Sequence, residues 1–352
     1  MYLVGLGTAT PPQRYTQREC WDALRASDRF PNLNSRSRAI LKKVLGGNNG
    51  ICARYLAFDN LSEPFADTPD TLHARFTKYA PTVAAQAGER ALHDAGCKAG
   101  DIDAVIISTC TGYLCPGLTS YVSERLGLRP DALALDLVGQ GCGAALPNLR
   151  VAEALTASGR CRQVLSICVE ICSAAFYLDD APGVLISACL FGDGAGAAVL
   201  ATEPIAGKRR VRWKTAGTML SASDREYLRF DQKGGMLRNI LEPEVPELAA
   251  KHAETVLTEV LERIGVSREQ IKGWIMHAGG RNILLAMQKR LGLTEHDLRW
   301  SASVLREYGN VSSPCVYFVL QATLNDRVDG GLWWMSSFGA GFSCHGALLE
   351  VE

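Results

Sequence analysis

The sequence of 352 residues predicts an α/β protein made of two similar layered halves, and three observations carry that expectation. Apolar, strand-like runs alternate with helix-spaced segments along the whole chain, the pattern of sheets covered by helices. Each half closes on a glycine-rich turn feeding a strand of small apolar residues. The first has Gly192-Asp193-Gly194-Ala195-Gly196-Ala197-Ala198-Val199-Leu200; the second has Phe338-Gly339-Ala340-Gly341-Phe342 and then Gly346-Ala347-Leu348-Leu349. Between them a polar stretch from Glu203 to Arg209, holding Pro204 and Gly207, divides the chain into 1–203 and 204–352.

In order, Tyr2 to Thr8 reads as a first strand, followed by helical patterns over 16–28 and 36–46. Residues 56–78 read as an irregular, polar surface excursion, and Pro81 opens an alanine-rich helix reaching Gly96. Ala104 to Ser108 is apolar at nearly every position, the type of strand buried on both faces. A turn over Thr109 to Gly117, a helix over 119–126 and a strand over Ala132 to Leu137 lead to the stretch around Cys142. Gln163 to Val169 is a further strand before the glycine-rich close of the first half. The second half has a helix over 247–264, a strand from Gly273 to His277, and helices near 280–290, 298–307 and 312–325. Strands from Gly331 to Ser336 and from Ser343 to Val351 end the chain.

Composition narrows the function. Hydrophobic residues make up 47% and charged residues 21%, enough for a large core. Lys plus Arg equals Asp plus Glu at 37 each, so the chain carries no field suited to nucleic acid or an anionic membrane. No apolar run is long enough to span a bilayer and the first residues lack a secretory signal, which points to the cytoplasm. The 12 cysteines lie scattered in apolar stretches without metal-site spacing, so no metal is expected. They read as small buried hydrophobes of a reducing compartment.

One cysteine differs. Gly141-Cys142-Gly143 lies between a strand and a helix, where glycines permit a sharp turn and the helix dipole favours a thiolate. His277 ends an apolar strand and precedes Ala278-Gly279-Gly280, the same strand–residue–glycine–helix arrangement. Active groups of α/β sheets gather at carboxyl ends of strands, which would bring His277 and Cys142 into one cleft. Asn310 follows Gly309 before Ser312 and Ser313; it reads either as a helix N-cap or as an amide donor to an oxyanion. His73, His93, His252 and His296 read as surface residues, and His345 as a core histidine.

At these residues the chain resembles the chalcone-synthase-like family, the type III polyketide synthases, of thiolase fold. The matching pieces run nearly end to end: Cys110-Thr111-Gly112 with Pro116-Gly117, Gln140-Gly141-Cys142, Leu190-Phe191-Gly192-Asp193-Gly194-Ala195, His277-Ala278-Gly279-Gly280, Gly309-Asn310-Val311-Ser312-Ser313 and Phe338-Gly339-Ala340-Gly341. The resemblance implies that Cys142 carries the acyl group and that His277 and Asn310 complete a catalytic triad. It implies an acyltransferase that loads an acyl-CoA starter, extends it by decarboxylative condensation with malonyl-CoA and cyclises the product. The substrates are coenzyme A thioesters and no cofactor is implied. On this basis an imidazolium beside a thiolate would keep Cys142 ionised near neutral pH.

The same resemblance places Thr111, Cys172, Ala175, Phe230, Gly279, Gly280, Ser312 and Phe338 around the substrate. Phe230 matches one gate phenylalanine and the other gate position falls on or near Arg210. Ala175 is small, and Ser313-Pro314 is similar to bacterial alkylpyrone and alkylresorcinol synthases, so a long acyl starter is implied. A homodimer is implied too, with Cys115 on the loop that reaches the partner's cavity. Two alternatives stand beside this reading. Ketoacyl synthase III has His-Gln-Ala-Asn where this chain has His277-Ala278-Gly279-Gly280, and a non-catalytic thiolase-fold subunit would tend to lose the cysteine or histidine.

Overall fold

Nine strands hydrogen-bond into one mixed sheet that repeats a single topology at its two ends. The computed structural model describes residues 1–352 except 66, 67 and 327. The strands are β1 (Tyr2–Ala9), β2 (Arg14–Thr16), β3 (Ala53–Tyr55), β4 (Ala104–Ser108), β5 (Leu133–Leu137), β6 (Gln163–Glu170), β7 (Gly194–Ala201), β8 (Val211–Leu220), β9 (Leu228–Lys233), β10 (Met236–Leu241), β11 (Ile271–Met276), β12 (Gly331–Gly339) and β13 (Ser343–Val351). The α-helices are α1 (Gln17–Ala26), α2 (Ser35–Leu45), α3 (Pro69–Ala95), α4 (Leu118–Leu126), α5 (Ala145–Ala157), α6 (Pro182–Leu190), α7 (Val245–Ile264), α8 (Arg281–Leu291), α9 (Arg299–Tyr308) and α10 (Cys315–Asn325).

The sheet runs β11-β12-β13-β8-β1-β7-β6-β4-β5. Read outward from the centre, β1-β7-β6-β4 and β8-β13-β12-β11 match in order and in direction: two antiparallel pairings followed by a parallel one. The first half adds β5, parallel to β4, at its edge. Tyr2 and Leu3 of β1 pair with Arg212 and Val211 of β8 and join the halves. The duplication expected from the two glycine-rich closings is therefore a duplication of topology.

Two helices lie between the halves. α5 packs on β4 and β6 and also on β12 and β13, while α10 packs on β1 and β7 and also on β11 and β12. The outer helix α3 covers β1 and β7. A Cβ at Gly7 would overlap the Ala87 carbonyl oxygen, so the alanine-rich face of α3 touches the sheet backbone itself. Among the described residues no helix is long and apolar enough to cross a membrane.

Several expectations need correction. Residues 56–78 are not an irregular surface loop: Leu56, Ala57 and Phe58 are buried, and α3 starts at Pro69, capped by Thr68. Pro81 lies inside α3, not at its start. His252 is buried and shares a 3.1 Å hydrogen bond with Asp224, so it is no surface residue. The sequence reading lacked β8, α6 and the β9–β10 hairpin. Apolar α6 has little helical contrast between its faces, and a short apolar run does not distinguish helix from buried strand. The hairpin closes through Gly234-Gly235, both at positive φ, a two-residue turn that glycine pairs favour.

Candidate active site

Cys142 sits in a single 3-10 turn, Gly141–Gly143, between β5 and α5. The second half braces that turn. Ser337 Oγ donates to the Gly143 carbonyl at 3.0 Å. A Cβ on Gly339 would overlap the Gln140 carbonyl oxygen and lie 2.6 Å from the Gly143 nitrogen, so only glycine lets β12 end there. The half-buried thiol lies 3.1 Å from Ser312 Oγ.

Ser312 is the one non-glycine residue with positive φ among the described residues, at 58°. Backbone held in this sparsely populated region is typical of functional sites. The conformation lets the Ser312 amide donate to Asn310 Oδ1 at 2.9 Å while its hydroxyl meets the thiol. Asn310 Nδ2 donates to the Gly279 carbonyl at 3.1 Å. Asn310 is therefore not a helix cap: α10 starts at Cys315 with Pro314 before it.

His277 follows β11, and its backbone amide donates to Ser336 O at 2.9 Å. Its buried ring stands edge-on to Phe338, with centroids 5.0 Å apart, and both ring nitrogens lack a hydrogen-bond partner. The thiol bonds Ser312 instead of the imidazole. Burial pushes the Cys142 thiol up to about 12, outweighing the Ser312 hydrogen bond that favours the thiolate. Burial likewise pushes His277 down to about 4. Desolvation thus favours the neutral form of each group in the free protein and works against the expected thiolate–imidazolium pair.

The thiol faces a cavity. Thr111, Cys172, Ala175, Phe230 and Ser312 line it. Gly279, Gly280 and Phe338 are not on this wall: Gly279 accepts from Asn310, Gly280 precedes α8, and Phe338 packs against His277. The position at Arg210 is far from a gate, since its guanidinium pairs with Glu352 at 3.2 Å beyond the end of the last strand. Phe176 and Phe191 line the cavity together with Phe230.

Sequence reasoning missed Cys110, Glu170, Ser187 and Asn239. Cys110, Ser187 and Asn239 line the cavity, and Glu170 lies behind the wall. Buried Glu170 accepts from Cys110 N at 3.0 Å, Thr109 Oγ1 at 3.2 Å, Thr111 Oγ1 at 2.9 Å and Ser313 Oγ at 2.5 Å. Burial raises its carboxyl pKa while those donors oppose the rise. Glu170 thereby ties the 109–111 turn to the start of α10. A lone glutamate ending an apolar strand carried no signal of such a role.

Comparison with known proteins follows the same outline. The model of the N-terminal domain of chalcone and stilbene synthases matches residues 2–204, and that of the C-terminal domain matches residues 225–350. A 3,5-dihydroxyphenylacetyl-CoA synthase of Streptomyces toyocaensis is 30% identical, over 99% of this chain and 89% of the relative. That of Amycolatopsis orientalis is 30% identical over 98% of this chain and 92% of its own length. Among solved structures, PKS-I of the brown alga Ectocarpus siliculosus has a TM-score of 0.90 at 26% identity, covering 99% of this chain and 97% of its own. The 1,3,6,8-tetrahydroxynaphthalene synthase of Streptomyces coelicolor shares the fold with a TM-score of 0.87 at 24% identity, covering 99% of each chain.

Proposed function

The chain belongs to the chalcone and stilbene synthase family and is a type III polyketide synthase, and from that premise we propose how its residues divide the work. Cys142 attacks the carbonyl of an acyl-CoA starter. Its proton passes to His277, neutral and unpartnered in the free protein, and then to the departing coenzyme A thiol. Malonyl-CoA next loses carbon dioxide and leaves an enolate whose charge rests on the thioester oxygen. His277 and the second amide hydrogen of Asn310 donate to that oxygen. The enolate carbon attacks the acyl carbonyl on Cys142, and the expelled thiolate takes up a proton from solvent, its own having left with the coenzyme A thiol. The observation carrying this reading is the hydrogen-bonded run Cys142–Ser312–Asn310–Gly279, built where α5 and α10 begin and ending beside His277.

Residues 1–203 form the half bearing the nucleophile and 204–352 the half bearing its two partners. The starter is a long aliphatic acyl chain and the product an alkylpyrone or alkylresorcinol. Small Ala175 on the cavity wall supports this. So does a second apolar chamber lined by Leu24, Leu41, Leu45, Leu56 and Phe58, which shares only Phe176 with the first. The enzyme acts as a homodimer, a reading supported by β5, whose outer edge pairs with no strand among the described residues. Ketoacyl synthase III and a non-catalytic subunit are not favoured, since both halves match the polyketide synthase models.

Incubation with malonyl-CoA and acyl-CoA thioesters of graded chain length tests the whole reading by mass spectrometry. Several condensations and a cyclised product are expected. Cys142→Ala should abolish them, and condensation surviving in that variant rejects the nucleophile. A strict preference for aromatic starters ends the long-chain assignment.

A further inference from the structure

We propose that Asn239, anchored by Ser187, is a specificity-determining residue that binds an enolised β-dicarbonyl unit of the growing chain, an inference resting on the polyketide-forming reading above. Asn239 lies on β10 directly across from Phe230 of β9, so the two side chains share one face of the hairpin. Both line the cavity that receives the Cys142 thiol. Asn239 is 8% exposed. Its Nδ2 donates to Ser187 Oγ at 2.8 Å, and that hydroxyl donates to the Gly183 carbonyl at 2.6 Å. Since the serine proton goes to Gly183, the serine accepts from Asn239, and the orientation of the amide is settled by this chain.

The amide therefore keeps one N–H and its carbonyl oxygen, neither of which has a partner among the described residues. The other polar groups of the wall are committed. Thr111 donates to Glu170 at 2.9 Å, Ser312 meets Cys142 at 3.1 Å, and Arg229 pairs with Glu226 at 2.8 Å. Asn239 thus offers an uncommitted donor beside an uncommitted acceptor in an otherwise apolar enclosure. A poly-β-keto chain carries oxygens on alternate carbons, and its enolised β-diketone presents one acceptor and one donor side by side. The amide complements that pair, and burial makes an unsatisfied partner costly. Holding one such unit fixes how far the chain extends before ring closure and which carbons meet.

The test compares wild type, Asn239→Leu, Asn239→Ala and Ser187→Ala in the full-length protein. Leucine keeps the branched shape of asparagine with a larger volume and removes both hydrogen-bonding groups. One measurement is binding of acetylacetone, a small enolised β-diketone, by NMR titration, which needs no turnover. The other is the ratio of longer cyclised products to triketide lactone from malonyl-CoA with the acyl-CoA series. Asn239→Leu should weaken acetylacetone binding and lower the product ratio by about threefold to tenfold, the worth of one or two hydrogen bonds. Ser187→Ala, which frees the amide to turn, should move both the same way. Total coenzyme A release should change less than either. Unchanged binding and product ratio in Asn239→Leu overturn the proposal, as does a shift in Asn239→Ala that Asn239→Leu does not share, which indicates a purely steric role. Wild-type protein that consumes no malonyl-CoA rejects the polyketide reading instead, and the acetylacetone comparison still decides the role of Asn239.

Discussion

At the residue scale, the protonation of two side chains governs the site. With burial holding the Cys142 thiol near 12 and the His277 imidazole near 4, the proposed nucleophile gains its charge only as its proton leaves during attack. Alkylation of the free protein by iodoacetamide should therefore be slow near neutral pH and should keep rising far into the alkaline range. A plateau near neutrality would mean a preformed thiolate. His277 also couples the site to stability. Its pKa falls from 6.5 in the unfolded chain to about 4 when folded, so the unfolded chain binds more protons in that window and stability drops as pH falls through it. The loss amounts to roughly 3 kcal/mol once pH is below the folded value. Buried Asp193, raised to about 6, acts in the opposite direction over a similar range. The clean measurement is thus a difference: denaturant titrations should show a shallower loss toward acid in His277→Gln than in the parent. Identical slopes would contradict a neutral, buried imidazole.

At the element scale, the site depends on how one glycine-rich turn presses on another. The end of β12 lies so close to the Cys142 turn that Gly339→Ala forces backbone apart at two points. Overpacking of this kind costs about 1–3 kcal/mol. Because the displaced atoms carry Cys142, the proposed nucleophile, condensation should fall more than tenfold while far-UV circular dichroism stays native, in line with the large cost of misplacing a reacting group by an ångström. Activity within twofold of wild type would show that the turn tolerates the shift.

At the scale of the whole molecule, the sheet ends on an edge that is hard to leave in water. β5 exposes Leu133 (42%), and Val138 just beyond it is 61% exposed. Unpaired strand edges with apolar side chains invite a second chain. Sedimentation velocity should give twice the chain mass, and a Leu133→Arg, Val138→Arg double variant should shift the protein toward monomer. A monomeric wild type at micromolar concentration would dispose of the dimer.

The alternation of strands and helices, the glycine-flanked turn of Cys142 and the paired glycine-rich closings were legible in the order of residues, because period and turn chemistry are local properties. Cys142, His277 and Asn310 could be picked out for the same reason: each interrupts an apolar element at a glycine. What local pattern does not carry is the distance between elements. That Ser312 meets the thiol, that Phe191 and Phe230 share one cavity wall while Arg210 pairs with Glu352, and that Asn239 of the β9–β10 hairpin reaches the same wall all depend on elements remote in sequence meeting in space. The pull toward neutral side chains has the same origin. A helix N-terminus beside a histidine suggests a thiolate when read along the chain, whereas the burial created by two halves closing on one site makes the neutral pair the stable one.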